Sequence, residues 1–211
     1  MKKKIFQLLF AVFAILIGLY PLKYLLNHGK TGILSGKPDW LLHSEVWQFS
    51  FYSHIVFGGV ALLIGWIQFN AKLRHNKPRI HQFIGKIYVV SALMSSFSGF
   101  YIALFADQGF WASLGFCCLA IIWFCVTLIA YLTIRKKQIL KHQHMMIYSY
   151  AACFAAVTLR IWLPVLIVII GHYGTAYLMV AWLSWIPNLL VAHFIIIKGE
   201  ALHEGEASRC R

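Results

Sequence analysis

The sequence predicts an all-α membrane protein, a polytopic helical bundle that crosses a lipid bilayer six times. The 211 residues are 61% hydrophobic and only 12% charged, whereas soluble proteins average roughly 45 to 50% apolar and about 25% charged residues. The apolar residues form runs of about 20, the length that crosses the hydrocarbon of a bilayer. The basic residues stand at the ends of these runs, as the positive-inside bias of membrane proteins predicts.

Six apolar runs give the predicted transmembrane helices. None shows the polar and apolar alternation of a membrane β-barrel, so each is predicted to be an α-helix. The connections are too short to fold alone and contain no internal repeat, so residues 1–211 are predicted to form one membrane domain. The predicted spans are about 5–26, 48–69, 83–105, 110–134, 145–170 and 176–197.

The first run begins after three lysines, as a signal peptide does. It continues past Pro21 to Leu26 without a small-residue cleavage site. This length favours an uncleaved membrane anchor over a cleaved signal peptide.

The charges between the runs predict the orientation of the chain. The connections 106–109 and 171–175 contain no lysine or arginine, and the long 27–47 loop mixes basic with acidic residues. Both termini are therefore predicted to be cytoplasmic, and the net charge of +13 points to membrane lipids rather than nucleic acid as partners. The predicted cytoplasmic clusters are Lys2, Lys3 and Lys4; Lys72, Arg74, Lys77 and Arg79; and Arg135, Lys136, Lys137 and Lys141.

Ionisable side chains at membrane depth are the candidate functional residues, because burying them in hydrocarbon is costly. His54 and Arg160 lie deep in their spans, and His81, His144 and His193 lie near an interface. No Asp or Glu falls within a predicted span, which counts against a carboxylate proton relay or a sodium-coupled transporter. His75 and His142 are predicted to be solvated in the basic loops, and no catalytic residue is assigned.

Two faces of small residues accompany these histidines, at helical spacings of three and four. They fit close helix packing, with histidines that bond across the contact. They also fit room for a flat haem macrocycle with axial imidazole ligands. The faces are His54, Gly58, Ala61, Gly65 and Gln68 in the second span, and His81, Gly85, Tyr88, Ala92, Ser95 and Gly99 in the third.

Depth sorts the polar residues into two layers. His81 and His144 lie at the start of spans that begin on the cytoplasmic side, and His193 lies about one turn inside the cytoplasmic end of the last span. These three residues therefore form the candidate ligand set for haem b. His81 and His144 are the candidate iron ligands, although histidines at this level also fit contact with lipid headgroups. His54 is about 20 Å from the cytoplasmic end of its span and cannot share that iron.

Arg160 lies at the same depth as His54, so the two residues are predicted to share a polar site in the outer half of the membrane. A permanently charged guanidinium there needs acceptors: backbone carbonyls, water, or a ligand such as a haem propionate or a quinone-like carbonyl. Pro164 leaves the carbonyl of Arg160 without its helical partner, which predicts either a kink or only a packing effect.

The stretch from about residue 52 to 164 resembles an uncharacterised bacterial family of multi-pass membrane proteins, a domain of unknown function. The resemblance implies a polytopic protein of the bacterial inner membrane and no established activity. It is carried by His54, Gly58, Gly59, Ala61, Leu62, Gly65 and Gln68; by Arg79, His81, Gly85 and Tyr88; and by His144, Met145, Ala155, Ala156, Val157, Thr158, Arg160 and Pro164.

More distantly, the histidine-headed helices resemble the transmembrane cytochromes b that pass electrons from ascorbate-type donors to ferric iron. Those proteins carry ligand histidines on four successive helices, whereas span 110–134 contains none. One haem at most is therefore expected. The leading functional hypothesis is a haem-b-binding redox or haem-handling protein. The alternatives are a small-molecule or ion permease lined by Arg160 and His54, and a scaffold subunit of a respiratory membrane complex.

Overall fold

The computed structural model describes residues 11–26 and 32–209, without the side chains of residues 32–33 and 202–209. These residues form helices and connecting turns and contain no strand. The helices, numbered in chain order, are α1 (Ala11–Leu26), α2 (Asp39–Leu42), α3 (Glu45–Gly65), α4 (Ala71–Asn76), α5 (Pro78–Ala103), α6 (Phe110–Arg135), α7 (Ile139–Cys153), α8 (Ala155–Ile170), α9 (Tyr173–Leu183) and α10 (Ile186–Arg209).

Within the described residues, five helical segments are long and apolar enough to cross a membrane. They correspond to the second to sixth predicted spans. The predicted span 5–26 lies partly outside the described residues, and its described part, α1, is apolar but shorter. Six crossings and cytoplasmic termini therefore stay predictions. The five segments are Glu45–Phe69, Pro78–Ala103, Phe110–Arg135, Ile139–Ile170 and Tyr173–Ala201.

The helices extend further into the basic connections than hydropathy predicts. Pro78, at the first position of α5, fits there because that position has no helical use for a backbone N–H. The predicted connection before it contains α4, whose first turn is capped by Asn70: its Oδ1 accepts from the backbone N–H of Lys72 at 3.0 Å and of Leu73 at 3.2 Å. Hydropathy stops at charged residues, whereas capping allows helices to continue into the interface.

The last two predicted spans are each interrupted near their middle. The break between α7 and α8 falls at Phe154, and that between α9 and α10 falls at Ser184 and Trp185. The two breaks are bonded together, since the Thr158 hydroxyl donates to the carbonyl of Ser184 and Asn188 Nδ2 donates to Thr158 Oγ1 at 3.1 Å. Pro164, where a kink was one of the predicted outcomes, lies inside α8 without ending it.

Helices α3 and α5 pack antiparallel along their length, through the two faces of small residues. A Cβ at Gly58 would lie 2.9 Å from Ser95 Oγ, and one at Gly85 would lie 3.4 Å from Gln68 Oε1. The prediction that these faces meet is confirmed, with a histidine that bonds across the contact. Helix α6 packs between α5 and α7, while α9 packs on α6 and α8, and α10 packs on α7.

Candidate functional site

His54 is held on α3 by contacts to α5. Its Nδ1 lies 2.9 Å from the carbonyl oxygen of Ser95, and the Ser95 hydroxyl donates to the carbonyl of His54 at 2.9 Å. Because the serine proton is used in that bond, Nδ1 carries the imidazole proton and donates it to the Ser95 carbonyl. The ring lies against Gly99, where a Cβ would be 2.6 Å from Nδ1. His54 Nε2 is left as a lone-pair acceptor with no hydrogen-bond partner among the described residues.

Arg160 is the one arginine that the structure describes deep within a span, on α8. Its Nη1 donates to the carbonyl of Ala156 at 2.7 Å, and its guanidinium lies over the ring of Tyr20 on α1, 4.6 Å from the ring centre. The side chain is half-buried, and none of its contacts with described residues is to a carboxylate. One of its five N–H groups and its π-facing surface are thus accounted for.

The structure places His54 and Arg160 at one level. Arg160 lies ten residues before Ile170 and His54 lies nine residues after Glu45, which puts each about 15 Å from the same end of the bundle. Arg160 lies close enough to His54 for its positive charge to act on the imidazole. We call Tyr20, His54, Ser95 and Arg160 the arginine site.

The arginine site combines a cationic donor with a lone-pair acceptor, two groups that an oxygen acid would satisfy. A guanidinium offers several N–H donors and a fixed positive charge, while the unprotonated Nε2 of His54 offers an acceptor. A ligand with one oxygen that accepts and one O–H that donates would satisfy both. Ile17, one turn before Tyr20 on α1, and Ile55, next to His54 on α3, are apolar, which fits a ligand with an apolar body.

His81 lies at the other end of the bundle, which we call the basic end because it carries the basic connections 70–77, which include α4, and 136–138. Its Nδ1 is enclosed and has no hydrogen-bond partner among the described residues. Arg74 on α4 and His142 on α7 lie near the imidazole of His81. Arg74 and His142, rather than His144, are therefore the titratable neighbours of His81.

His144 and His193 lie between α7 and α10. His144 Nδ1 is 3.5 Å from Glu200 Oε1. His193 Nδ1 is 2.8 Å from the hydroxyl of Tyr148, and the two rings are stacked. The structure thus brings His144 and His193 to one helix contact and His81 to another. The assignment of His81, His144 and His193 to one haem stays a prediction.

Sequence reasoning missed three of these neighbours. His142, predicted to be solvated, is half-buried and donates from Nδ1 to the carbonyl of Ala130 at 2.8 Å. It lies seven residues before the buried Ser149, a helical spacing that signals the same face. Glu200 was missed because α10 continues past the predicted end at 197. Tyr20 carries no charge, so only its position reveals its contact with Arg160.

Among the residues that the structure describes, no group of three His, Cys, Asp or Glu side chains is placed to hold a metal ion. Comparison with known proteins gives one family match. A family described as "Predicted membrane protein (DUF2306)" matches residues 51–196, more than half of the chain. No curated protein and no solved structure matches this chain. The predicted resemblance to an uncharacterised membrane protein family is confirmed, and the likeness to transmembrane cytochromes b stays a prediction.

Proposed function

This chain belongs to the DUF2306 family of predicted membrane proteins, and from that premise we propose that it binds a small amphiphile with an acidic oxygen at the arginine site. The observation that carries the proposal is the contact set of Arg160. A guanidinium at membrane depth is costly to keep unless it is neutralised. The described residues surround it with one carbonyl, the Tyr20 ring and the nearby Tyr24, and with no carboxylate. An anionic oxygen from a ligand would complete its set of acceptors.

His54 narrows the ligand class. Its Nε2 is a lone-pair acceptor, so it favours a ligand that also presents an O–H group. A quinol and a protonated carboxylic acid share this chemistry: each carries an acidic O–H on an apolar body and becomes an oxyanion when that proton is lost. Proton transfer to His54 with the oxyanion held by Arg160 is the reaction step that this pair supports.

The proposal is tested by ligand binding to the protein purified in detergent. The probes are oleate and a decyl-substituted benzoquinone in its oxidised and reduced forms, and the measurement is the dissociation constant. Loss of a hydrogen bond to a charged group corresponds to about tenfold weaker binding. We therefore expect Arg160→Gln to raise the dissociation constant of the bound probe by about tenfold or more.

Arg135 provides a matched control. It also lies over a tyrosine ring, 6.0 Å from the centre of Tyr131, and bonds the Tyr131 hydroxyl at 3.1 Å, but it is exposed at the end of α6. Arg135→Gln removes the same charge and should leave the dissociation constant unchanged. Equal affinity in wild type and Arg160→Gln, or no binding of any probe, would reject the arginine site as a receptor.

A permease is the second candidate function, and the interrupted helices favour it. Broken helices near the membrane midplane recur around the substrate sites of transporters, and Arg160 follows the break at Phe154 by six residues. A permease and a receptor would share the arginine site but differ in flux. Uptake of the bound probe into proteoliposomes that is lost in Arg160→Gln would assign transport, whereas binding without uptake would leave the receptor. The scaffold hypothesis stays a prediction beside both.

The haem prediction has its own test, the absorption spectrum of protein purified from haem-replete cells. A Soret band that shifts on reduction is expected from the sequence prediction, because iron with two imidazole ligands changes its spectrum with redox state. The band should be lost in His81→Ala and in His144→Ala. A colourless preparation would reject haem b and, with it, the redox hypothesis built on His81, His144 and His193.

A further inference from the structure

A second polar site, independent of the arginine site, lies at the basic end of the bundle. Its central residue is Gln68, on the 3₁₀ turn Trp66–Phe69 that ends α3. Only 7% of Gln68 is exposed, and its Nε2 has no hydrogen-bond partner among the described residues. The other end of the same amide lies against α5, 3.4 Å from where a Cβ on Gly85 would be. An enclosed amide with an unused N–H₂ group needs an acceptor.

Arg74 and two histidines lie at the same end of the bundle as Gln68. His81 lies one turn before Gly85 on α5, and its enclosed Nδ1 is also without a partner among the described residues. Arg74 and His142 approach His81 from α4 and α7. His142 donates from Nδ1 to the Ala130 carbonyl, so Nε2 of the neutral ring is a lone-pair acceptor, and the donors of the site are those of Gln68, Arg74 and His81. We call Gln68, Arg74, His81 and His142 the basic-end site.

Charge balance around the basic-end site favours an anion. Among the described side chains at this end of the bundle, the carboxylate is that of Glu200, and it contacts His144 on the other side of α7. The first turn of α5 has no side-chain cap, so its backbone N–H groups add positive potential beside His81. Arginine and glutamine are poor ligands for iron but good donors to phosphate oxygens.

We infer that the basic-end site binds a phosphoryl group, with Arg74 and Gln68 as its donors. The site lies at the end of the spans, at the level where lipid headgroups lie, so an anionic phospholipid of that leaflet is the expected source of the phosphoryl group. His81 donates to the same group in the tautomer with its proton on Nδ1. Inorganic phosphate carries the same oxygens and is the alternative source.

The test uses the full-length protein stripped of lipid in a maltoside detergent. Phosphatidylglycerol, phosphatidylcholine and inorganic phosphate are added separately, and the dissociation constant is obtained from the rise in the unfolding midpoint. Phosphatidylglycerol should bind most tightly. Gln68→Glu keeps the shape of the side chain but places a carboxylate against the phosphoryl group, so it should abolish binding. Arg74→Gln, on the exposed α4, should weaken binding about tenfold.

Lys136→Gln is the matched control, because it removes one positive charge from the other basic turn at the same end of the bundle. Its affinity for phosphatidylglycerol should equal that of wild type. Equal weakening in Lys136→Gln and Arg74→Gln would overturn the proposal in favour of diffuse surface charge. Binding retained in Gln68→Glu, or a Soret band lost in His81→Ala, would overturn it as well. Inorganic phosphate that stabilises as strongly as phosphatidylglycerol would support the phosphoryl site and assign its source to the free ion.

Discussion

Gly65→Ala is expected to destabilise the protein by about 3 kcal/mol, although the same change stabilises most helices. In an isolated helix, alanine is better than glycine by roughly 0.5 to 1 kcal/mol. Here the new Cβ would lie 2.3 Å from Cε2 of Tyr150 and 2.8 Å from Cε2 of Tyr88. Inserting a methyl group into a packed contact costs about 1 to 3 kcal/mol, and two rings must move at once. The sign of the change therefore separates tertiary packing from helix propensity.

The two tyrosines have little freedom to move. Tyr88 is fully buried, and its hydroxyl lies 2.8 Å from Ser149 Oγ. The Ser149 hydroxyl is in turn 2.6 Å from Thr127 Oγ1, so α5, α6 and α7 are tied at this point. Tyr150 is 3% exposed, and its hydroxyl donates to the carbonyl of Leu62 at 3.1 Å. Displacing either ring would break one of these bonds in addition to the packing.

The measurement is the free energy of unfolding in mixed micelles. Gly199→Ala is the control, because nothing lies within 4 Å of the position of its Cβ. That variant should show the ordinary helical gain of up to about 1 kcal/mol. A stabilised Gly65→Ala would mean that α3 does not approach Tyr88 and Tyr150 as closely as the structure shows.

The contact between α3 and α5 could be predicted from the sequence, because the helical spacing and the small size of the side chains determine it. His54, Gly58 and Gly65 repeat at helical spacing, and Ser95 and Gly99 do the same on the next span. Two narrow faces on consecutive antiparallel helices have one efficient way to pack. The depth match of His54 and Arg160 was equally readable, because a helix rises by a constant about 1.5 Å per residue.

The basic-end site could not be predicted from the sequence, because polarity does not distinguish the residues that face the bundle there. At the ends of spans, both a lipid-facing and a bundle-facing histidine look polar in the sequence, so His142 and His144 could not be told apart by polarity. They differ by two residues, which places them on nearly opposite faces of α7. The break at Phe154 was missed because its bonds, from Thr158 and Asn188 across to the next helix pair, are made between distant residues. Such long-range contacts leave no local pattern.

The buried ion pair between Lys37 and Asp107 is expected to respond unequally to loss of its two members. Lys37 Nζ lies 2.7 Å from Asp107 Oδ1 and donates to the carbonyl of Phe105 at 2.5 Å. The pair ties the segment between α1 and α3 to the turn between α5 and α6. The lysine side chain is 6% exposed and the aspartate side chain 24%. Water can therefore reach the carboxylate far more readily than the ammonium group.

Asp107→Ala should therefore cost more stability than Lys37→Met. Removing the carboxylate leaves an enclosed ammonium group with only the Phe105 carbonyl, and an uncompensated buried charge costs about 3 kcal/mol or more. Removing the lysine leaves a carboxylate that can be solvated, which reduces the cost to about 1 kcal/mol. The free energies of unfolding of both variants and of the double variant Lys37→Met/Asp107→Ala measure this difference.

The double variant should be more stable than Asp107→Ala alone, because it no longer contains the unpaired ammonium group. The single effects are thus expected to be non-additive, as they are for residues in direct contact. Equal costs in the two single variants, or a double variant that loses the sum of both, would show that the pair is solvated and does not hold the 32–44 segment on the bundle. Asp107→Ala is therefore expected to be the least stable of the three variants, and this ranking follows from the difference in burial between the two side chains.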